Sequence, residues 1–132
     1  GMGALGGEKM SKALGNLVLV SKLRAEGVDP NVIRLVLLAQ HYRSDWFYEA
    51  DMLNAASARM SAWAARAAHT TQDEATALVT EVRAALANDL DAPAALRALD
   101  AWAASQPSGH DADAGQLVRD AADALLGVVL PA

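Results

Sequence analysis

Apolar residues three and four positions apart recur along most of this 132-residue chain. That spacing places them on one side of a helix, whereas a half-buried strand needs strict alternation. The pattern begins near Leu53, Ala75 and Leu96 and returns before Gly127. A helix over residues 30–42 is apolar almost all round, so we expect it at the centre of the core. With short connections between these segments, the sequence predicts an all-α helical bundle.

Local capping signals mark where two of these helices begin. Asp29 followed by Pro30 is typical of an N-cap and a first helical position. Thr71 and Glu74 match the Thr-x-x-Glu capping box. These pairs predict helix starts at about residues 30 and 72.

The first part of the chain has no sustained helical pattern. Residues 1–16 are rich in glycine and predict a loop. Residues 17–20 predict a buried strand or an extended lead-in, because four apolar residues follow one another. A short helix from Ser21 to about Glu26 is expected to stop at Gly27.

The composition excludes several kinds of site. The chain has no cysteine, so it has no disulfide, no thiolate nucleophile and no cysteine-ligated zinc of its own. Arg34 interrupts the longest apolar run, which leaves no membrane span, and nothing resembles a signal peptide. We therefore expect a cytoplasmic protein without a membrane partner.

Charge is distributed unevenly along the chain. Residues 1–48 hold six Lys and Arg against four Asp and Glu, whereas residues 49–132 hold five against twelve, a net charge of −7. Such an acidic surface repels a nucleic-acid backbone.

Two lysines lie three residues apart in the glycine-flanked stretch 7–16. Lys9 and Lys12 suit a polyphosphate, because each ammonium is a compact charge with three donors. The alternative interpretation is a solvated basic tail, and the stretch matches no Walker-type glycine pattern.

The letters Lys9-Met10-Ser11-Lys12-Ala13, the lysine motif, resemble the Lys-Met-Ser-Lys-Ser loop of class I aminoacyl-tRNA synthetases. Residues 14–16, Leu-Gly-Asn, continue it as in the cysteinyl branch. The resemblance implies that this segment binds ATP, with both lysines stabilising the triphosphate while a carboxylate attacks the α-phosphorus. A positioned cation contributes most where negative charge develops. Ala13 stands where the family has serine, which removes a hydroxyl.

His41 and Arg43 lie in the stretch His-Tyr-Arg-Ser that ends the predicted buried helix. They are candidates to face a cleft, or else cations that interact with the helix C-terminus. Residues 29–44 also resemble the stretch after the lysine motif in cysteinyl-tRNA synthetases, where the helical domain begins beside the active site. Asp45-Trp46 departs from the proline usual there.

A narrower resemblance is to the mycothiol-pathway cysteine ligases, a cysteinyl-tRNA synthetase-like family. It is carried by residues 9–16, 41–46, 88–102 and 124–127. It implies that the chain is the C-terminal part of an ATP-dependent ligase that activates cysteine as an adenylate and joins it to glucosaminyl-inositol. Residues 1–20 would then be the motif loop and the end of a nucleotide-binding catalytic domain, and 21–132 the helical bundle.

The resemblance also implies what this chain lacks. Its histidines form no His-x-Gly-His signature, and any zinc is expected only in the catalytic domain outside this chain. We therefore expect no catalysis by the chain alone, and ATP, cysteine, glucosaminyl-inositol and the missing catalytic domain as its partners. Two alternatives remain: the same part of a cysteinyl-tRNA synthetase, and a stand-alone helical interaction module. The acidic distal region argues against tRNA binding.

Other candidate groups have ordinary structural interpretations. Asp89 and Asp91 suit a metal, but a helix cap before Pro93 is favoured. Trp63 and Trp102 lie on apolar stripes and are expected in the core. Nothing forms a set of nucleophile, base and orienting group.

Overall fold

A computed structural model describes the backbone of residues 8–40 and 46–132, and within these ranges the side chains from residue 14 onward. Every regular element in those ranges is helical, which confirms the predicted all-α bundle. The elements are α1 (Glu8–Ala25), α2 (Pro30–Leu38), α3 (Asp51–Ala67), α4 (Gln72–Ala87), α5 (Ala92–Ala104), α6 (Ala114–Ala121) and a π-helical turn (Ala122–Leu126).

Three helices begin at the caps that their residues predict. The Asp29 carboxylate accepts from the Asn31 N–H at 2.8 Å. The Thr71 hydroxyl and the Glu74 carboxylate bond each other's backbone N–H groups, forming the complete capping box. Asp91 accepts from the Ala94 N–H at 3.0 Å, so the cap interpretation of this carboxylate is confirmed. Each cap satisfies N–H groups that have no partner within the helix.

The core lies among α3, α4, α5 and α6. Helix α4 packs against α5 and α6, while α3 packs against α2, α5 and α6. Trp63 and Leu96 are fully buried, and Trp102 is 7% exposed, so both tryptophans are core residues as predicted. A Cβ atom on Gly115 would lie 2.1 Å from the Ala67 carbonyl oxygen, so α6 approaches the end of α3 only because residue 115 is glycine.

Helix α2 corrects one prediction. It buries Ile33, Leu35 and Val36, but the apolar residues on its other sides are only half-buried and Arg34 is exposed. It therefore lies at the edge of the core, between α1 and α3, rather than at the centre. Burial on all sides requires neighbours on all sides, and helix periodicity alone does not supply them.

Helix α1 corrects a second prediction. Residues 8–20 are helical and continuous with the short helix expected from Ser21, in place of a loop followed by a strand or extended segment. Glu, Lys, Met, Ala and Leu are good helix formers. Between Glu8 and Gly27 the main breaker is Gly15, which costs a helix only about 1 kcal/mol relative to alanine. Residues 1–7, also predicted as loop, lie outside the described residues.

The segment after the last helix packs back onto the bundle, which the sequence analysis did not foresee. Gly127 ends the π-helical turn at a φ of +70°, and Val128 and Leu130 are buried. The Val129 N–H donates to Asn31 Oδ1 at 2.9 Å. This C-terminal tail, residues 127–132, therefore connects α6 to the start of α2.

Candidate functional site

The lysine motif occupies the first turns of α1. At 1.5 Å per residue, the backbone positions of Lys9 and Lys12 are separated by roughly 4.5 Å along the helix axis, about one turn. Two lysine positions about one turn apart are a suitable arrangement for binding phosphate groups.

Helix α1 is attached to the rest of the fold through its C-terminal half. Leu23 is buried, and the backbone bond from Val28 N–H to the Leu23 carbonyl closes the turn before α2. Val20 and Arg24 line a groove of about 210 Å³ with residues of α2. The lysine motif is thus about three to four helical turns away from Leu23, where α1 is anchored.

Helix α2 is in turn fixed by the far end of the chain. The Arg34 Nε–H donates to the Leu126 carbonyl at 3.0 Å. Arg119 on α6 donates to the carbonyl oxygens of Leu130 and Pro131. The last turn and the tail therefore help to hold α2 in place, and α2 in turn holds α1, the helix that contains the lysine motif.

The remaining candidate residues have different outcomes. His41 and Arg43 lie outside the described residues, so their proposed position beside a cleft stays a prediction. His69 and His110 are distant in sequence, yet their rings lie 6.1 Å apart and both residues are exposed. Among the side chains of residues 14–40 and 46–132, no three from His, Cys, Asp or Glu come together as a metal site.

A buried polar network around Arg66 was missed by the sequence analysis. The Arg66 side chain is 5% exposed and pairs with Glu74 at 3.4 Å. It also donates to the carbonyl oxygens of His69, Trp102 and Ser105. Its guanidinium lies 5.2 Å from the centre of the Trp102 ring, a cation–π distance. The network joins the end of α3 to α4 and the end of α5.

Glu74 accepts hydrogen bonds from several directions. Its pKa is held well below its ordinary value, chiefly by the Thr71 N–H and next by the Ser108 N–H. Hydroxyl groups of Ser108 and Thr70 act in the same direction, while burial acts against them. One carboxylate therefore caps α4 and ties the loop after α5 to it.

We predict that Glu74 makes the fold acid-sensitive. Because its pKa is lower in the folded chain than in the unfolded one, its contribution is complete above about pH 4.5 and is lost as the pH falls. Glu74→Gln should be less stable at neutral pH and should lose less further stability between about pH 4.5 and 3. Urea unfolding at several pH values measures this. Glu81→Gln, exposed on the same helix, is the control and should keep the wild-type slope, and equal slopes for all three proteins would contradict the prediction.

None of the described helices is both long and apolar enough to cross a membrane.

Comparison with known proteins adds two findings. The sequence model of the tRNA synthetases class I (C) catalytic domain matches residues 1–58, which include α1, α2 and the start of α3. The chain is also 58% identical over 132 residues to an L-cysteine:1D-myo-inositol 2-amino-2-deoxy-alpha-D-glucopyranoside ligase of Streptomyces avermitilis. Proteins of the same name from Renibacterium salmoninarum and Streptomyces coelicolor are 54% and 57% identical.

These matches cover nearly all of the chain but only part of each relative. They include 98% of this chain and 31–32% of the three ligases, so the chain spans about a third of the length of the curated relatives it matches. The resemblance that the sequence letters indicated is thereby confirmed over both the motif segment and the bundle. The chain is therefore similar to the L-cysteine:1D-myo-inositol 2-amino-2-deoxy-alpha-D-glucopyranoside ligases over nearly its whole length, and its residues 1–58 match the class I (C) synthetase catalytic domain.

Proposed function

We propose that this chain is the motif-bearing and helical part of an ATP-dependent cysteine ligase. In the proposed reaction, the cysteine carboxylate attacks the α-phosphorus of ATP and pyrophosphate leaves. The amine of glucosaminyl-inositol then attacks the carbonyl carbon of the cysteinyl adenylate, an amide bond forms and AMP leaves. The observation that carries the proposal is the match at 54–58% identity across nearly the whole chain, rather than the short motif alone.

The lysine motif supplies the charge that the first step needs. Lys9 and Lys12 would contact the ATP phosphates, with Met10, Ser11 and Ala13 forming the rest of the segment. Negative charge grows on the departing pyrophosphate, and oriented cations stabilise a transition state where charge develops. The bundle would support the motif through α2 and the C-terminal tail.

Zinc for this reaction is not assigned to this chain. It has no cysteine, and the described residues bring no three metal-ligating side chains together. A zinc that selects cysteine would need ligands from the rest of a ligase.

The acceptor substrate distinguishes the proposed ligase from a cysteinyl-tRNA synthetase. Taken alone, the match to the class I (C) model would favour the synthetase. Residues 49–132 contain five arginines among twelve acidic residues. Three of the five are engaged within the fold: Arg59 with Asp100, Arg66 in the buried network and Arg119 with the tail. This leaves Arg83 and Arg97 as exposed cations on the described acidic part of the bundle, a weak basis for binding phosphates.

The test uses a joined ligase, in which this chain replaces the matching third of the Streptomyces avermitilis protein. Cysteine-dependent exchange of pyrophosphate into ATP reports adenylate formation, and mass spectrometry reports the acceptor product. We expect exchange by the joined ligase, background exchange by the isolated chain, and the amide when glucosaminyl-inositol is supplied. Formation of cysteinyl-tRNA without the amide would contradict the ligase proposal and would favour a cysteinyl-tRNA synthetase instead.

We further predict no measurable tRNA binding by the chain at physiological salt. A surface that binds tRNA must neutralise phosphates with Lys and Arg, and its affinity then falls steeply with salt. A filter-binding titration at two salt concentrations measures this. Micromolar tRNA binding, with an affinity that falls with salt as expected for several phosphate contacts, would contradict the proposal of a small-molecule acceptor.

A further inference from the structure

Two exposed histidines from distant parts of the chain lie beside each other on the surface of the bundle. His69 is in the turn between α3 and α4, and His110 is in the loop between α5 and α6. Their ring centres are 6.1 Å apart, with an angle of 60° between the ring planes. Within the part of the chain that the structure describes, no hydrogen bond reaches either ring. The imidazole nitrogen atoms are therefore available to a ligand.

Hydrogen bonds hold together the two backbone segments that carry these rings. The Asp111 N–H donates to the Thr70 carbonyl oxygen at 3.0 Å, and the Gln72 N–H donates to Asp111 Oδ2 at 2.7 Å. Thr70 follows His69 in the chain and Asp111 follows His110, so these bonds join the immediate neighbours of the two histidines. The separation of the two histidine backbones is therefore set by the fold, and only the side-chain torsions remain adjustable.

The residues before His110 are held in the same way. The Ser108 N–H and hydroxyl donate to Glu74 Oε2 at 3.0 and 2.9 Å. A Cβ atom on Gly109 would lie 3.2 Å from Thr71 Cγ2, so the loop lies close against the start of α4. The loop is thus attached to the turn and to α4 on both sides of His110, and the two rings are positioned before any ligand binds.

The separation of the rings suits a shared metal ion. Imidazole is the commonest metal ligand among side chains, and its nitrogen binds Zn²⁺ at about 2.0–2.1 Å. With that bond length, two imidazoles on one tetrahedral ion place their ring centres roughly 5 Å apart. The observed 6.1 Å is longer by about 1 Å, which small side-chain rotations at two exposed residues supply.

The charge around the pair favours a cation. Asp73, Asp111 and Asp113 are exposed, and each lies within four positions of one of the two histidines. The cation at the end of α3, Arg66, is buried and paired with Glu74. Carboxylates near a site attract a divalent ion, while two nitrogen ligands select a transition metal over Mg²⁺ and Ca²⁺, which prefer oxygen.

We propose that His69 and His110 form a surface site for one divalent transition-metal ion, such as Zn²⁺ or Ni²⁺, with water in its remaining coordination positions. The bound ion joins the turn after α3 to the loop after α5 and so opposes local opening of that loop. The site is formed by residues outside the lysine motif, and the inference does not depend on the proposed ligase function.

Calorimetric titration with Zn²⁺ tests the site in the chain prepared without a histidine tag. His69→Gln and His110→Gln each remove one ligand, and His41→Gln, which removes the remaining histidine, is the matched control. We expect one ion per chain, bound about tenfold more weakly, or worse, by either of the first two variants, because each keeps a single imidazole ligand. His41→Gln should bind Zn²⁺ as the wild type does. The melting temperatures of His69→Gln and His110→Gln without metal should equal that of the wild type, because both positions are exposed.

A second measurement locates the ion without any substitution. Paramagnetic Ni²⁺ should broaden the amide NMR signals of residues 69–72 and 108–111 before the other signals of the bundle, and EDTA should restore them. Zn²⁺ should slow amide hydrogen exchange in the same loop, because exchange there requires local opening.

Three outcomes would overturn the proposal. Absence of Zn²⁺ binding would leave the two rings as an ordinary edge-to-face contact, for which ring centres lie about 4.5–7 Å apart. Zn²⁺ binding that neither His69→Gln nor His110→Gln weakens would place the ion elsewhere. Displacement of Zn²⁺ by an excess of Mg²⁺ would assign the binding to the carboxylates instead of the imidazoles.

Discussion

Lys12→Ala in the joined ligase is expected to slow cysteine-dependent pyrophosphate exchange by about 10²–10³-fold. Loss of one oriented charge contact to a transition state typically has that effect. The effect should appear in the rate at saturating ATP more than in ATP affinity, because charge on the leaving pyrophosphate grows during the reaction. Lys9→Ala should act in the same direction.

Lys22→Ala is the matched control for this prediction. Lys22 is exposed in the last turn of the same helix, ten residues after Lys12. It should leave the exchange rate within about twofold, since an exposed surface charge remote from the phosphates contributes little. If Lys12→Ala and Lys22→Ala behave alike, the lysine motif is not the phosphate-binding segment.

Arg66→Ala is expected to lower the free energy of unfolding by about 3–5 kcal/mol. Removing one partner of a buried ion pair leaves the other side of the network unpaired. Here the loss involves Glu74 together with the carbonyl oxygens of His69, Trp102 and Ser105. Urea unfolding followed by circular dichroism measures the change.

Arg59→Ala provides the comparison. Arg59 also pairs with a carboxylate, that of Asp100, but the two side chains are 28% and 39% exposed. Because solvent screens such a pair, the expected cost is about 1 kcal/mol or less. Equal costs for the two variants would mean that the Arg66 network contributes no more than an exposed ion pair.

Local rules were sufficient for the helix starts. Asp29, Thr71 with Glu74, and Asp91 each bond a backbone N–H within three residues, so a short stretch of letters contains the whole interaction. The lysine motif could also be recognised from the sequence alone, because five adjacent residues carry the resemblance to the class I family. Its role in binding ATP stays a prediction.

The sequence was a poorer guide where two local preferences compete. The glycines near the motif favoured a loop, while the residues between Glu8 and Gly27 also permit the helix that the structure contains. Neither preference exceeds the other by much, because one glycine costs a helix only about 1 kcal/mol.

By itself, then, the sequence determined the helical class, the caps and the family resemblance, all of which depend on neighbouring residues. Only the tertiary structure decided the contacts between distant positions. Arg34 bonds the carbonyl of a residue 92 positions away, and Asn31 bonds one 98 positions away. Such contacts depend on how whole helices pack and where the chain returns, and helix periodicity contains no information about either. The edge position of α2 and the buried tail follow from that packing.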